Sequence, residues 1–223
     1  MTTLSGGILA IFAHPDDETF GCGGTLAHHA EAGHNVEALC LTCSDLERGP
    51  ELNRAAEALG IRKPIIFPEE SLKPTPELIR KVSDVIVKRR PWVVITHLPF
   101  DYHLEHRAAH GLVKEALEWA GHETIYDDPW VVGRLLLMEV NTLISSPHIV
   151  VDISDVWQRK EAAIEAYVSQ LAKFQWGHYQ DFMVEKAKLR GVQGGCGYAE
   201  AFLMEPLAIS SPFFLKKATR SLF

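Results

Sequence analysis

The chain has 223 residues, of which 47% are hydrophobic and 23% are charged, and its formal net charge at pH 7 is −7. These values are typical of a globular protein with one sizeable core, so we expect a single domain over residues 1–223. The chain is acidic, and its densest basic cluster, "VKRR" at 87–90, lies where a helix is expected to end, which argues against nucleic-acid binding. No apolar run reaches the roughly 18 to 20 residues of a membrane span.

In chain order, the N-terminus lacks the basic segment and cleavage site of a signal peptide, so the expected compartment is the cytoplasm. Apolar runs then alternate with segments of helical composition. The predicted strands cover residues 6–13, 35–43, 64–68, 91–99, 134–140 and 148–153. The predicted helices cover residues 21–33, 49–60, 75–90, 104–121, 155–174 and 181–189. This alternation predicts a Rossmann-like α/β fold, with a mainly parallel sheet covered by helices on both faces.

The first predicted strand runs directly into a charged stretch, "AHPDDE" at 13–18. In open parallel sheets, ligands bind beyond the carboxyl ends of the strands. A carboxylate cluster there repels itself unless a cation neutralises it. The stretch is therefore consistent with a divalent metal site, although acids that merely begin a helix would also explain Asp16 and Asp17.

The fourth predicted strand ends in a second charged stretch, "DYHLEH" at 101–106. Parallel strands bring their carboxyl ends to one edge, so His14 and Asp17 can converge with His103 and His106. Two histidines and one carboxylate with an open position form a catalytic zinc set. The sequence thus predicts a metal site at the carboxyl ends of strands 1 and 4.

Two other interpretations of these stretches remain open. The glycines in "GCGGT" at 21–25 do not match the dinucleotide-binding pattern, which makes a nucleotide site a weak alternative. His106 and His110 are four residues apart on a predicted helix and could bind zinc as a pair, but "HRAAH" lacks the glutamate of the metalloprotease motif.

These stretches resemble the signatures of the PIG-L/LmbE-like zinc-dependent N-deacetylases. "AHPDDE" followed by "GGT" at 23–25 matches the first signature, and "PFDYHLEH" at 99–106 matches the second, P-x-D-x-H-x-D-H. "RGPELNRAAEALG" at 48–60 is similar to a family helix. "VDISDVWQRKEAAIEAYVSQ" at 151–170 and "YAEAF" at 198–202 are similar to the C-terminal half of the family. The resemblance spans nearly the whole chain.

The resemblance implies specific roles for the residues that match. It implies metal ligation by His14, Asp17 and His106. Asp16 would be the general base, and His103 would stabilise the oxyanion or donate a proton to the leaving amine. The implied ion is Zn²⁺, with Fe²⁺ or another divalent metal as alternatives.

Three further residues are candidate substrate contacts: Arg48, Asp101 and Glu105. Glu105 departs from the family pattern, which has Asp there, and we expect this position to orient a neighbouring histidine. The implied reaction removes the acetyl group from an N-acetylglucosamine-type substrate. A metal-binding sensing or ligand-binding module without turnover is the alternative.

The C-terminal segment "SSPFFLKKATRSLF" at 210–223 contains three phenylalanines. We expect it to pack against its own domain or a neighbouring subunit, because these side chains are too apolar to be left together in water. A homo-oligomer is therefore left open.

Overall fold

The computed structural model describes residues 6–43, 45–173 and 175–205, so the C-terminal segment 210–223 lies outside the described residues. The strands are β1 Ile8–Phe12, β2 Val36–Cys40, β3 Ile65–Ile66, β4 Val93–His97, β5 Arg134–Met138, β6 Ile149–Asp152 and β7 Ala199–Glu205. The helices are α1 Asp17–Glu31, α2 Arg48–Leu59, α3 Pro76–Arg89, α4 Leu104–Ala120, α5 Trp157–Glu165, α6 Val168–Leu171 and α7 His178–Gly194.

The seven strands form one sheet in the order β3-β2-β1-β4-β5-β7-β6. The pairs from β3 to β5 are parallel, and β7 pairs antiparallel with both β5 and β6. The chain leaves β1 toward one edge of the sheet and returns to β4 on the other side of β1. This reversal of strand order opens a crevice at the carboxyl ends of β1 and β4.

The two faces of the sheet carry separate hydrophobic cores. Ile8, Ala10 and Phe12 of β1 pack on the face covered by α1, α2, α5 and α7. Leu9 and Ile11 pack on the opposite face, which α3 and α4 cover. Since every residue of β1 is buried, its continuous apolar run follows from burial on both sides. The predicted mainly parallel sheet with helices on both faces is confirmed.

The structure corrects three of the predicted boundaries. The first helix begins at Asp17 rather than at residue 21, so the acidic residues lie in its first turn. The predicted helix 155–174 is divided: α5 ends at Glu165, and α6 covers only Val168–Leu171. The strand β7 is absent from the sequence-based assignment. Within the described ranges, no helix is both long and apolar enough to cross a membrane.

Candidate active site and metal centre

Asp17 lies at the centre of the crevice between β1 and β4. It is 2% exposed, and its Oδ1 lies 3.1 Å from Nε2 of His106. Its Oδ2 accepts a 2.7 Å hydrogen bond from the backbone N–H of His14 and lies 3.4 Å from that residue's Nδ1. Although burial raises the pKa of Asp17, the charge of His106 and the contacts with His106 and His14 hold that pKa well below its usual value.

His106 lies on the first turns of α4 between two carboxylates. Its Nε2 faces Asp17, and its Nδ1 lies 3.2 Å from Oδ1 of Asp101. Burial by itself lowers the pKa of His106, but its interactions with Asp17 and Asp101 outweigh burial and raise the pKa to about 10. The site therefore stabilises positive charge at this position, whether a proton or a metal ion supplies it.

Asp101 is buried behind His106 rather than open to a ligand. It is 1% exposed, and its Oδ1 also accepts a 2.9 Å hydrogen bond from the backbone N–H of His103. Its Oδ2 accepts a 3.3 Å hydrogen bond from the N–H of Asn141. These contacts show a carboxylate that orients His106 and begins α4.

Asp16 precedes α1 in an uncommon backbone conformation, with a φ of 112°. Its Oδ2 accepts a 2.9 Å hydrogen bond from Nη2 of Arg48, which also donates to the carbonyl of Pro15. Burial and the adjacent charge of Asp17 raise the pKa of Asp16 well above its usual value, although the charge of Arg48 opposes them. The pKa values of the two neighbouring carboxyl groups are thus shifted in opposite directions.

Glu18 fixes the backbone beneath Asp16. This fully buried side chain accepts a 3.2 Å hydrogen bond from the N–H of Asp16 through Oε2. Its Oε1 accepts hydrogen bonds from Thr19 Oγ1 at 2.6 Å and from Tyr167 Oη at 2.5 Å. Tyr167 is distant in sequence, and no motif indicated that it would support this turn.

His14 and His103 form the more open side of the site. Nε2 of His14 lies 2.5 Å from Oε2 of Glu105, whose Oε1 accepts a 2.7 Å hydrogen bond from Leu72 N–H. The rings of His14 and His103 meet edge-to-face, with centroids 4.9 Å apart. Nδ1 of His103 is buried without a hydrogen-bond partner. Burial and the nearby charges of His106 and His14 lower the pKa of His103.

His97, the last residue of β4, was not identified from the sequence. It is completely buried, and its ring stacks on His106 with centroids 4.0 Å apart. Its Nε2 accepts a 2.9 Å hydrogen bond from the N–H of Ala13. Because burial lowers the pKa of His97 to about 4, the ring is neutral at pH 7. Its position at a strand end is the signal that could have revealed it.

Two groups of described residues bring donor atoms within 4.8 Å of one another: His14, His103 and His106, and Asp17, His97 and His106. Imidazole and carboxylate donors suit zinc and related divalent ions. In the second group, the lone pair of His97 Nε2 already accepts the Ala13 N–H. The two carboxylates that favour positive charge at His106 fit a bound cation. Nδ1 of His103 is buried in the same site without a hydrogen-bond partner.

The structure brings the predicted ligands together, because Asp17 contacts both His14 and His106. His110 lies apart from them, with Nε2 3.0 Å from Oε2 of Glu205. Arg48 contacts Asp16, so its role as a sugar contact stays a prediction.

Comparison with known proteins assigns the chain to a family. Residues 9–117 match the family described as PIG-L, GlcNAc-PI de-N-acetylase. A diacetylchitobiose deacetylase of Thermococcus kodakarensis is 30% identical, and the alignment covers 89% of this chain and 83% of that protein. The structure of a conserved protein of Thermus thermophilus has 30% identity and a TM-score of 0.82, covering 94% and 99% of the two chains.

A second similar structure shows that the fold alone does not determine the reaction. The 4-carboxy-2-hydroxymuconate hydratase of Pseudomonas putida KT2440 has a TM-score of 0.80 at 22% identity, covering 92% and 98% of the two chains. At this identity the likeness concerns the fold only. The family assignment rests instead on the matched residues 9–117 and on the identity to the Thermococcus deacetylase. The chain belongs to the PIG-L family of de-N-acetylases.

Proposed function

We propose that the chain is a metal-dependent de-N-acetylase that hydrolyses the N-acetyl amide of an N-acetylglucosamine-type substrate to a free amine and acetate. The observation that carries this proposal is the pair Asp16 and Asp17. Asp17 contacts two imidazoles, whereas Asp16 is held by Arg48 and has a raised pKa. One carboxylate is thus suited to a cation and its neighbour to a proton.

His14, Asp17 and His106 would hold the metal ion, for which Zn²⁺ is the first choice and Fe²⁺ an alternative. The three residues carry two imidazoles and one carboxylate, which is the donor set of catalytic rather than structural zinc sites. A bound divalent ion would polarise the amide carbonyl and acidify water at the site. Asp101 behind His106 and Glu105 beside His14 would fix the two imidazole rings.

Asp16 would act as the general base that takes a proton from the attacking water. Water would add to the carbonyl carbon, and the proton taken by Asp16 would pass to the amide nitrogen as the C–N bond breaks, which releases the amine and acetate. The raised pKa of Asp16 increases its basicity toward the range in which a base operates near neutral pH. Arg48 limits this effect and fixes the direction of the carboxylate.

His103 would stabilise the oxygen of the tetrahedral intermediate. The lowered pKa of His103 favours the neutral ring, in which one nitrogen carries a proton that can be donated. Its backbone N–H is fixed by Asp101, which holds the residue at the start of α4. A positioned donor of this kind stabilises the charge that develops on the former carbonyl oxygen.

The substrate class is supported by the relative that the chain resembles over most of its length, which is named as a diacetylchitobiose deacetylase. We extend this to a small amino sugar bearing an N-acetyl group. The crevice between β1 and β4 is bordered by side chains that can form hydrogen bonds, which suits a sugar better than an apolar ligand.

The test is to load the purified protein with Zn²⁺, add N,N'-diacetylchitobiose and measure acetate. We expect acetate release by the native protein and loss of bound zinc in His106→Ala. His110→Ala is the matched control, because His110 contacts Glu205 and should leave the zinc content unchanged. A protein that binds zinc but releases no acetate from any N-acetylglucosamine derivative would favour the sensing-module alternative.

A further inference from the structure

Lys186 of α7 connects two elements that border the metal site. Its side chain is buried, at 7% exposure for the whole residue. Its Nζ donates to the carbonyl oxygens of Phe20 at 3.0 Å, Glu139 at 2.8 Å and Val140 at 3.1 Å. Phe20 belongs to α1, and the other two residues directly follow β5. One ammonium group therefore spans α1 and the segment after β5.

The contact with α1 lies at a kink in that helix. Cys22 has non-helical angles, with φ −146° and ψ 15°. In a regular α-helix the N–H of Gly24 would donate to the carbonyl of Phe20. Here the carbonyl accepts from Lys186, and the Gly24 N–H donates to Glu200 Oε1 at 2.8 Å. Lys186 thus bonds the carbonyl, and Glu200 bonds the N–H, that would pair with each other in a regular helix.

Glu200 of β7 completes this support. Its Oε2 accepts a 2.8 Å hydrogen bond from the N–H of Thr25, and its Oε1 accepts a 2.6 Å hydrogen bond from Nζ of Lys160. The side chains of Lys160 and Glu200 are almost fully buried. The kink separates the turn that carries Asp17 from the rest of α1. The direction of that turn therefore depends on the hydrogen bonds made by Lys186 and Glu200.

The contact between Lys186 and Val140 is linked to His106 through Asn141 and Asp101. Val140 is followed by Asn141, whose N–H donates to Oδ2 of Asp101. Asp101 in turn contacts Nδ1 of His106. A shift of the segment after β5 would therefore change the position of the carboxylate that orients a proposed metal ligand.

We infer that Lys186 is a positioning residue of the metal site, whose buried ammonium ties the Asp17-bearing turn of α1 to the segment that orients His106. A buried charge is costly, and apolar residues of similar volume often replace such groups without loss of stability. Burial and the nearby charge of Lys160 lower the pKa of Lys186 to about 7, which reflects this cost. Donation to three carbonyls requires all three N–H groups of the protonated amine, which no apolar side chain replaces.

This inference rests on the proposed metal site, and its test measures zinc affinity rather than activity alone. Zn²⁺ is titrated against a competing chelator in the native protein, Lys186→Met, Lys186→Arg and Lys188→Met. Lys188 is the matched control, because it is an exposed lysine on the same helix. We expect Lys186→Met to bind Zn²⁺ about tenfold more weakly, as for outer-shell partners of metal ligands, and Lys186→Arg to recover part of that affinity.

In steady-state assays at saturating zinc, Lys186→Met should lower kcat with little change in KM, because it displaces the reacting groups rather than the sugar contacts. Three results would overturn the inference. The first is a zinc affinity of Lys186→Met within twofold of the native value. The others are equal losses of affinity in Lys186→Arg and Lys186→Met, and a loss in Lys188→Met equal to that in Lys186→Met. If Lys186→Met does not fold, Glu200→Gln is measured instead. Glu200→Gln is expected to weaken Zn²⁺ binding, and a native-like zinc affinity of this variant would count against the inference. A native protein that binds zinc without releasing acetate contradicts only the proposed reaction.

Discussion

Asp16 and Asp17 are adjacent in the chain, yet their carboxylates have different partners. Asp17 lies between His14 and His106, and Asp16 is bonded to Arg48. The positive φ of Asp16 turns the backbone between the two residues, which separates the directions of their side chains. At the scale of single residues, this separation is what allows a ligand and a base to be neighbours.

Substituting each aspartate by asparagine should therefore give different losses. Asp17→Asn should weaken zinc binding at least about tenfold, because it removes a charged ligand. Asp16→Asn should retain zinc and lower turnover by about 10²- to 10⁴-fold, the usual contribution of a positioned general base. Metal analysis and acetate release on the same samples separate the two effects. Loss of zinc from Asp16→Asn with retention by Asp17→Asn would reverse the assignment.

His97 supports the site from below, and its removal should be measurable as a loss of stability. His97→Phe keeps a ring that can stack on His106 but removes the acceptor for the Ala13 N–H. An unsatisfied buried donor costs about 1–3 kcal/mol. His97→Phe also removes the buried Nδ1 of His97, which has no partner among the described residues, so we expect a decrease toward the lower end of that range in the free energy of unfolding of the metal-free protein. Urea unfolding provides the measurement, and the exposed His122→Phe is the control. Equal stability of the two variants would contradict this account.

The sequence located the residues that follow strand ends but not the residues that support them. "AHPDDE" and "DYHLEH" are recognisable because charge directly follows an apolar run. His97 lies within such a run, where its imidazole is a single polar group among apolar neighbours. Tyr167 contacts Glu18 across 149 residues of chain, and no local pattern encodes that contact.

At the scale of elements, α1 is held close to the sheet by glycines. A Cβ added at Gly24 would lie 2.6 Å from Cδ1 and 2.8 Å from Cβ of the buried Ile153. A Cβ added at Gly21 would meet the Sδ of Met138 at 2.6 Å. The close approach of α1 leaves no room for side chains at these positions. It therefore explains Gly21 and Gly24, whereas a Cβ added at Gly23 would make only ordinary contacts, the nearest 3.5 Å from Cδ2 of Leu59.

Gly24→Ala should destabilise the protein by about 1–3 kcal/mol, because overpacking a well-packed core forces neighbouring atoms to move. Gly111→Ala in α4 is the matched control, since no atom would lie within 4 Å of its added Cβ. Replacing a helical glycine there should stabilise the protein by up to about 1 kcal/mol. Thermal or urea unfolding of both variants gives the comparison. A stabilised Gly24→Ala would show that α1 does not pack as described.

The elements that sequence patterns missed are those decided by tertiary contacts. The strand β7 forms only because β5 and β6 provide partners on both of its sides. Helix α1 begins at Asp17, earlier than its composition indicates, and its first turn is supported by Tyr167, which donates to Glu18. The segment 155–174 has helical periodicity throughout, yet Tyr167 leaves the helix and donates to Glu18. These choices depend on residues far away in the chain.

At the scale of the whole molecule, buried charges couple stability to pH. Five charged side chains lie buried together between α1, α5, α7, β5 and β7: Glu139, Lys160, Lys186, Arg190 and Glu200. Lys160 pairs with Glu200, and Arg190 pairs with Glu139. Among residues 6–43, 45–173 and 175–205, Lys186 has only carbonyl oxygens as its hydrogen-bond acceptors. It is consequently the cation in this group with the clearest pH dependence.

The free energy of unfolding should contain a contribution from Lys186 that rises with pH. In the folded protein the pKa of Lys186 is about 7, against a usual value of 10.5. Between these values the unfolded chain binds more protons, so raising the pH favours the folded state, with a slope of at most about 1.4 kcal/mol per pH unit. Urea unfolding of Lys186→Met should lack this slope, and Lys188→Met should retain it. Identical slopes in all three proteins would contradict the lowered pKa.

The central claim is that this site hydrolyses an N-acetyl amide through Asp16 beside a metal bound at Asp17. The most direct measurement is acetate release from N,N'-diacetylchitobiose by zinc-loaded native protein and by zinc-loaded Asp16→Asn, with the zinc content of both samples determined. We predict equal zinc in the two samples and turnover lowered by about 10²- to 10⁴-fold in the variant. Equal rates of acetate release at equal zinc content, or no release from the native protein, would contradict the account.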